Sequence, residues 1–580
     1  MSKGIERGLT QYGDAGFSLF LRKAFIKAAG YSDAALDRPI IGITNTHSEF
    51  NPCHGNVPQI IEAVKRGVMQ AGGMPIVFPT ISIHESFAYP TSMYLRNLMA
   101  LDTEEMLRAQ PLDAAVLIGG CDKTIPAQLM AAASANVPAL SIPTGPMLTG
   151  HHKGERLGAC TDCRRYWGKF RGGEVDAAEI DEINAKLAPT VGTCMVMGTA
   201  STMALVTEAM GMAMPGSAAI PAVHSARLRA SEAAGARAVT LARERILPRS
   251  IMTAAAFTNA FTVLQAVGGS TNALIHLTAI AARCGIRVDL EAFDRLGRAV
   301  PVLVDLKPSG KWYMEHLDEA GGLAAVLREL KPWLILDAPT VAGCTLGETI
   351  DAIAAVPDQQ VVRPLSNPLY ACGGLAVLRG NLAPDGALIK HSSATQALLQ
   401  HTGRAVVFES LEDLADRIDS PDLDVTADDV LVLKNAGPKG APGMPEAGYL
   451  PIPKKLALQG VRDMVRISDA RMSGTAFGAV VLHVAPESAA GGPLALVRNG
   501  DRIRLDVAKR RIDLLIDDAT FAARRSAWRA PANDGETSGY RRMYLAHVTQ
   551  APLGCDFDFM LPALDQGQAP LTPEVAKPPL

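Results

Sequence analysis

Between residues 39 and 142, short apolar runs alternate with segments of helical period, and this alternation restricts the fold more than any other feature of the chain. Pro39 to Thr44, Pro75 to Pro79, Ala114 to Ile118 and Pro138 to Ile142 read as strands. Between the first two, Val57 to Gly72 places Val57, Ile60, Ile61, Val64 and Val68 on one helical face. Thr124 to Ala135 reads as a further helix, and alanine-rich helices follow at about 199 to 212 and 228 to 243. Strands separated by helices predict an α/β fold built on a parallel sheet with helices on its faces.

After about residue 370 the pattern changes to short β-like segments: Arg404 to Phe408, Val430 to Lys434, Ala495 to Val497, Arg502 to Val507 and Arg511 to Ile516. Asn499-Gly500 between two of these is a hairpin signal. A chain of 580 residues exceeds what one core serves, so two domains are expected, an α/β domain over 1–370 and a mostly-β domain over 371–580. The Gly/Pro-rich stretch from Gly437 to Pro453 reads as a long functional loop, and the Pro-rich tail from about Gln566 as frayed. A formal net charge of −3 offers no field for nucleic acid or an anionic membrane. Met1 to Thr10 has no apolar run, and the uncharged stretch Ser250 to Ala282 is too interrupted to span a bilayer. Nine cysteines without an export signal argue against a disulfide framework and for a cytoplasmic protein with buried or metal-ligating thiols.

Three cysteines stand where ligands bind in an open α/β sheet, beyond the carboxyl ends of strands. Cys53 follows the first strand and Cys121 the third, while Cys194 precedes a helix; Glu85 lies just past the second strand. Thiolates suit an iron–sulfur cluster and carboxylates suit Mg²⁺. Three protein thiolates leave an iron position open, as a Lewis acid requires, whereas an electron carrier normally uses four. The cysteines are 68 and 73 residues apart and match no short metal motif, so packing in the core remains an alternative for each.

Longer strings resolve this. Gly-Cys-Asp-Lys-Thr at 120–124, Cys194 to Met203, Gly268-Gly269-Ser270-Thr271-Asn272 and Ser468 to Thr475 resemble the dihydroxy-acid dehydratase and 6-phosphogluconate dehydratase family, from about residue 35 to 560. Around Cys194 and Ser473 the chain is most similar to the sugar-acid branch, the L-arabinonate and D-xylonate dehydratases. The resemblance implies an N-terminal doubly wound parallel-sheet domain and a C-terminal β-barrel-like domain. It implies a hydro-lyase converting a sugar acid, a pentonate or hexonate, to the 2-keto-3-deoxy acid. Cys53, Cys121 and Cys194 would hold a [2Fe–2S] cluster, although three cysteines could also hold [4Fe–4S]. Glu85, Asp122, Glu446 and a carboxylated Lys123 would hold Mg²⁺, and Ser473 would be the general base that takes the C2 proton. Homodimers or homotetramers are implied as well.

His54 and His84 depart from the family pattern, and each either shapes the substrate pocket or fills space. Cys160 and Cys163 form a Cys-x-x-Cys with no partner motif and read as ordinary thiols, as do Cys284, Cys344, Cys372 and Cys555. His276 reads as a satisfied core histidine. Two enzymatic readings share every ligand: the sugar-acid dehydratase and the dihydroxy-acid dehydratase of branched-chain amino-acid synthesis. Readings of other classes are a non-catalytic iron–sulfur or zinc sensor using Cys160 and Cys163, and an interaction scaffold.

Overall fold

The computed structural model describes residues 4–531 and 538–561. The tail beginning near Gln566 lies outside the described residues. Four strands, β1 (Ile40–Asn45), β2 (Met74–Pro79), β3 (Ala114–Gly119) and β4 (Ala139–Pro143), form an all-parallel sheet in the order β2-β1-β3-β4. All four coincide with the expected strands to within a residue at each end. The helices Val57–Gln70 and Ser225–Glu244 pack together on one face of the sheet, and Ser92–Ala109 and Thr124–Ala135 on the other. Strand order reverses between β1 and β3, so the connections leave these neighbours in opposite directions and open a crevice at their carboxyl ends. The uncharged stretch near 250–282 forms two buried helices, Ala254–Ala266 and Thr271–Arg283, that thicken the core. Among the described residues no helix is long and apolar enough to cross a membrane. A small hairpin, β5 (Gly150–His152) and β6 (Glu155–Leu157), projects beyond the sheet.

Eight further strands make the second unit: β7 (Ala376–Leu378), β8 (Gly386–Ile389), β9 (Gln400–Phe408), β10 (Val430–Leu433), β11 (Arg466–Ser468), β12 (Val480–Ala485), β13 (Arg502–Asp506) and β14 (Arg511–Leu514). Their order is β14-β13-β9-β10-β11-β12-β8-β7, with β9 to β12 mutually parallel and the remaining pairs antiparallel. The two edges meet. Arg379, just past β7, donates its N–H to the Arg510 carbonyl at 2.9 Å and accepts from Ile512 N–H at 2.9 Å, closing the sheet into a barrel. Gly380 permits this closure, because a Cβ there would stand 1.9 Å from the Ile512 carbonyl oxygen. Alternate residues fill the barrel: Ala405, Val407, Val430, Val432, Ile467 and Val481 point inward, whereas Val406, Phe408, Leu431 and Leu433 form a separate cluster under the helix Leu411–Arg417.

One expectation fails here. Ala495 to Val497 is not a strand; a 3₁₀ turn, Pro493–Leu496, occupies that segment. Asn499-Gly500 is therefore not a hairpin turn, and the Asn499 carboxamide oxygen instead accepts from the Val407 N–H at 2.7 Å. The hairpin turn lies one segment later, between β13 and β14.

Candidate active site

Parallel strands of both units direct their carboxyl ends to one place. From the α/β unit, Cys53 sits in the 3₁₀ turn Pro52–His54 after β1, Glu85 follows β2, and Cys121, Asp122 and Lys123 follow β3. From the barrel, Glu446 opens a 3₁₀ turn in the long loop after β10, and Arg471 and Ser473 follow β11.

The ligand atoms fall into two sets. Cys53, Cys121 and His84 present sulfur or nitrogen within 4.8 Å of one another. Glu85, Asp122 and Glu446 present carboxylate oxygens within the same distance of one another. Soft and hard donors thus lie apart but adjacent, and the donor chemistry fits an iron–sulfur cluster beside a divalent cation. Cys194 stands outside the first set and faces the Cys160 sulfur at 3.6 Å. Its segment is docked to the Cys53 turn by the Gly192 N–H, which donates to the Pro52 carbonyl at 3.0 Å. Donation of the Cys53 S–H toward the neighbouring Cys121 sulfur, together with burial, raises the Cys53 pKa; contact with Cys160 and burial raise that of Cys194. These thiols must shed protons to bind metal.

The carboxylate set is held by two cations. Arg471, fully buried, donates to both Glu85 oxygens at 3.0 Å, to Glu446 Oε1 at 2.6 Å and to Thr91 Oγ1 at 2.7 Å. Lys123 is fully buried, paired with Asp122 and 3.8 Å from Glu85. Burial pushes the Glu85 pKa up, but Arg471, Lys123 and the hydroxyls of Ser92 and Thr91 outweigh it and hold that carboxyl well below the usual range. For Glu446 burial prevails over Arg471, and its pKa is raised. Arg471 was not singled out in the sequence, although it lies inside the Ser468 to Thr475 string. The one cationic residue in that string was the available signal.

His54 is a buried positioning residue. Its Nε2 accepts the N–H groups of Gly120 and Cys121 at 2.9 and 3.1 Å, and its Nδ1 donates to the Thr46 carbonyl at 2.8 Å. This pattern requires the neutral ring, and burial brings the His54 pKa down to about 4. His276 is also buried; its Nδ1 accepts from Arg96 at 3.1 Å, while Nε2 has no protein partner among the described residues, so it is only half satisfied. Cys284, Cys344 and Cys372 are partly exposed and Cys555 is buried, and none joins a ligand set.

The remaining motifs support the Ser473 loop. Ser473 Oγ is hydrogen-bonded to Thr475 Oγ1 at 2.8 Å, and Thr199 Oγ1 to Ser270 Oγ at 2.8 Å. Asn272 donates to Thr199 at 3.3 Å and to Glu446 at 3.5 Å. Three strings widely separated in sequence therefore meet at one wall. Behind it, the Lys390 ammonium is buried and donates to the Gly474 carbonyl at 3.2 Å. Burial lowers its pKa to about 7, so between pH 7 and the ordinary lysine value of 10.5 the unfolded chain binds the proton that the folded chain has lost. Stability contributed at this position accordingly rises with pH across that window. Lys390→Met is expected to raise the thermal midpoint at pH 7 and to flatten the rise seen in the parent between pH 7 and 10. Melting both proteins at several pH values checks this, and parallel pH profiles would contradict it.

Residues 38–349 match the N-terminal domain of the dihydroxy-acid/6-phosphogluconate dehydratases, and residues 360–555 match the C-terminal domain. The chain belongs to that family. The dehydratase is 49% identical to the L-arabonate dehydratase of Azospirillum brasilense over 551 residues, 93% of this chain and 94% of that protein. It is 46% identical to the 6-deoxy-6-sulfo-D-gluconate dehydratase of Pseudomonas putida over 528 residues, 90% and 91% of the two chains. A dihydroxy-acid dehydratase of Syntrophobacter fumaroxidans is more distant, at 41% over 565 residues, 96% and 98% of the two chains.

Proposed function

We propose that this dehydratase removes water from a sugar acid, a pentonate or hexonate, to give the 2-keto-3-deoxy acid. The observation that carries the reading is the pairing of a thiol set with a carboxylate set at the crevice between β1 and β3, reached from the barrel by Arg471, two residues before Ser473. Similarity to relatives named for L-arabonate and 6-deoxy-6-sulfo-D-gluconate supports a sugar acid over a branched-chain dihydroxy acid.

In this reading Cys53, Cys121 and Cys194 hold an iron–sulfur cluster, [2Fe–2S] by family resemblance, and Glu85, Asp122, Glu446 and Lys123 hold Mg²⁺. When bound, these groups supply Lewis acidity toward the substrate carboxylate and hydroxyls. Three carboxylates face two cations, Arg471 and Lys123, so the pocket carries a net negative charge before metal enters. Carboxylation of Lys123 turns one of those cations into a further anionic oxygen ligand and deepens the attraction for Mg²⁺. Ser473 takes the proton from C2, and the enol left after loss of the C3 hydroxyl tautomerises to the 2-keto acid. A serine hydroxyl is too weak a base alone; the metal cations, when bound, would favour its deprotonated form. We also assign a homodimer or homotetramer, supported by the exposed aromatic side chains Phe50, Phe87 and Tyr89 beside the Glu85 segment.

The test is turnover of a panel of aldonic acids and 2,3-dihydroxyisovalerate by anaerobically purified, Mg²⁺-supplied protein, read as 2-keto acid. Selective activity on aldonates is expected. Preference for 2,3-dihydroxyisovalerate would replace the substrate assignment while leaving the ligand sets in place.

A further inference from the structure

Cys160 and Cys163 belong to neither ligand set, yet the fold brings them against Cys194. Cys160 caps the helix Thr161–Arg171, and its Sγ lies 3.6 Å from that of Cys194. One turn along the helix, Cys163 packs beside them. The three cysteines pack in one small cluster with Met147, Met195, Val196 and Tyr313, and all three are partly exposed.

The helix start is firmly anchored. Thr161 Oγ1 donates to the Thr475 carbonyl at 2.8 Å, and buried Asp162 accepts from Gly158 N–H, Arg165, Lys307 and the Tyr313 hydroxyl at 2.8 to 3.0 Å. The sulfur array is therefore built into the fold and does not depend on a loose loop.

We propose that Cys160 and Cys163 form a thiol relay that captures Cys194 when a peroxide oxidises it and returns it to the thiol state. The proposal rests on the reading of Cys194 as a cluster ligand, since a ligand freed by cluster loss is the sulfur that needs recovery. In the first step hydrogen peroxide oxidises the Cys194 thiol by two electrons; its O–O bond breaks, giving the sulfenic acid and water. Next, the Cys160 sulfur attacks Cys194, forming the S–S bond as the S–O bond breaks, and the hydroxyl leaves with the thiol proton as water. The Cys163 sulfur then attacks Cys160, producing a Cys160–Cys163 disulfide and the Cys194 thiol, which receives the Cys163 proton. Two equivalents of a small thiol, oxidised to its own disulfide, reset the pair. Without capture, a sulfenic acid proceeds to the irreversible sulfinic acid.

The experiment exposes the holoenzyme to hydrogen peroxide until cluster absorbance is lost, blocks free thiols by alkylation and maps the cysteine peptides by mass spectrometry. The parent protein is expected to show the Cys160–Cys163 disulfide with Cys194 alkylated. Cys163→Ser is expected to stop at a Cys160–Cys194 disulfide. In Cys160→Ser, Cys194 is expected as sulfinic acid, and cluster absorbance regained after dithiothreitol, iron and sulfide falls by about fivefold or more. A Cys163→Ser protein without the Cys160–Cys194 link overturns the relay, as does a Cys160→Ser protein that regains its cluster as fully as the parent. If Cys160→Ser does not fold, the trapped link in Cys163→Ser decides alone. A Cys194→Ser protein that still carries a full cluster would remove the ligand reading itself and with it the relay, an outcome distinct from failure of the link.

Discussion

Ser473→Ala is expected to keep its cluster absorbance and its Mg²⁺ site while turnover falls by about 10²- to 10⁴-fold, the range for loss of a positioned general base. The substitution removes one oxygen that is bonded to Thr475 and is not a member of either ligand set. Its backbone is constrained independently. Gly474 packs so closely that a Cβ there would lie 2.6 Å from the Ser270 side chain and 2.9 Å from the Thr199 nitrogen, so the loop keeps its path when Ser473 is shortened. Thr475→Val serves as the control, since it removes the Ser473 partner but leaves the hydroxyl. Substantial residual turnover in Ser473→Ala, with the cluster intact, would sink the general-base role and return Ser473 to a turn residue.

Arg471→Met is expected to be the most destabilising change at the site. The guanidinium is buried and compensates Glu85 and Glu446, and Asp122 lies within 4.8 Å of both. Removing it leaves half-buried carboxylates facing one another, a loss approaching the roughly 3–5 kcal/mol seen when one partner of a fully buried pair is deleted. Added Mg²⁺ should restore part of that loss, so the variant's thermal midpoint should depend on Mg²⁺ more steeply than the parent's. Arg471→Lys keeps the charge but cannot span two carboxylates with a planar fork, and an intermediate result is expected. Thermal unfolding with and without Mg²⁺ measures this; an Arg471→Met protein that melts like the parent in both conditions would show that the cation is dispensable.

The sequence located much of this site because strand ends are legible. Apolar runs marked β1, β2 and β3 to within a residue, and the rule that ligands gather past strand carboxyl ends then pointed to Cys53, Glu85 and Cys121. What the sequence hid is tertiary. Cys160 and Cys194 are 34 residues apart, and no local pattern shows that a helix cap will touch the next ligand segment. His54 looked like a departure of uncertain use until its ring was seen accepting the Gly120 and Cys121 N–H groups, a contact made across two strand ends. Ala495 to Val497 read as a strand because apolar content alone does not separate a strand from a buried 3₁₀ turn, and the preceding Pro493 favoured the turn.

The Arg471 contacts also bear on how such proteins can be recombined. One guanidinium reaches Glu85 and Thr91 from the α/β unit and Glu446 from the barrel, so each half carries part of a shared lock. A barrel transplanted from a relative to alter sugar preference has to present Glu446 and Arg471 in register with the host's Glu85 and Thr91. Those four positions are the join that a barrel placed on this α/β unit has to reproduce.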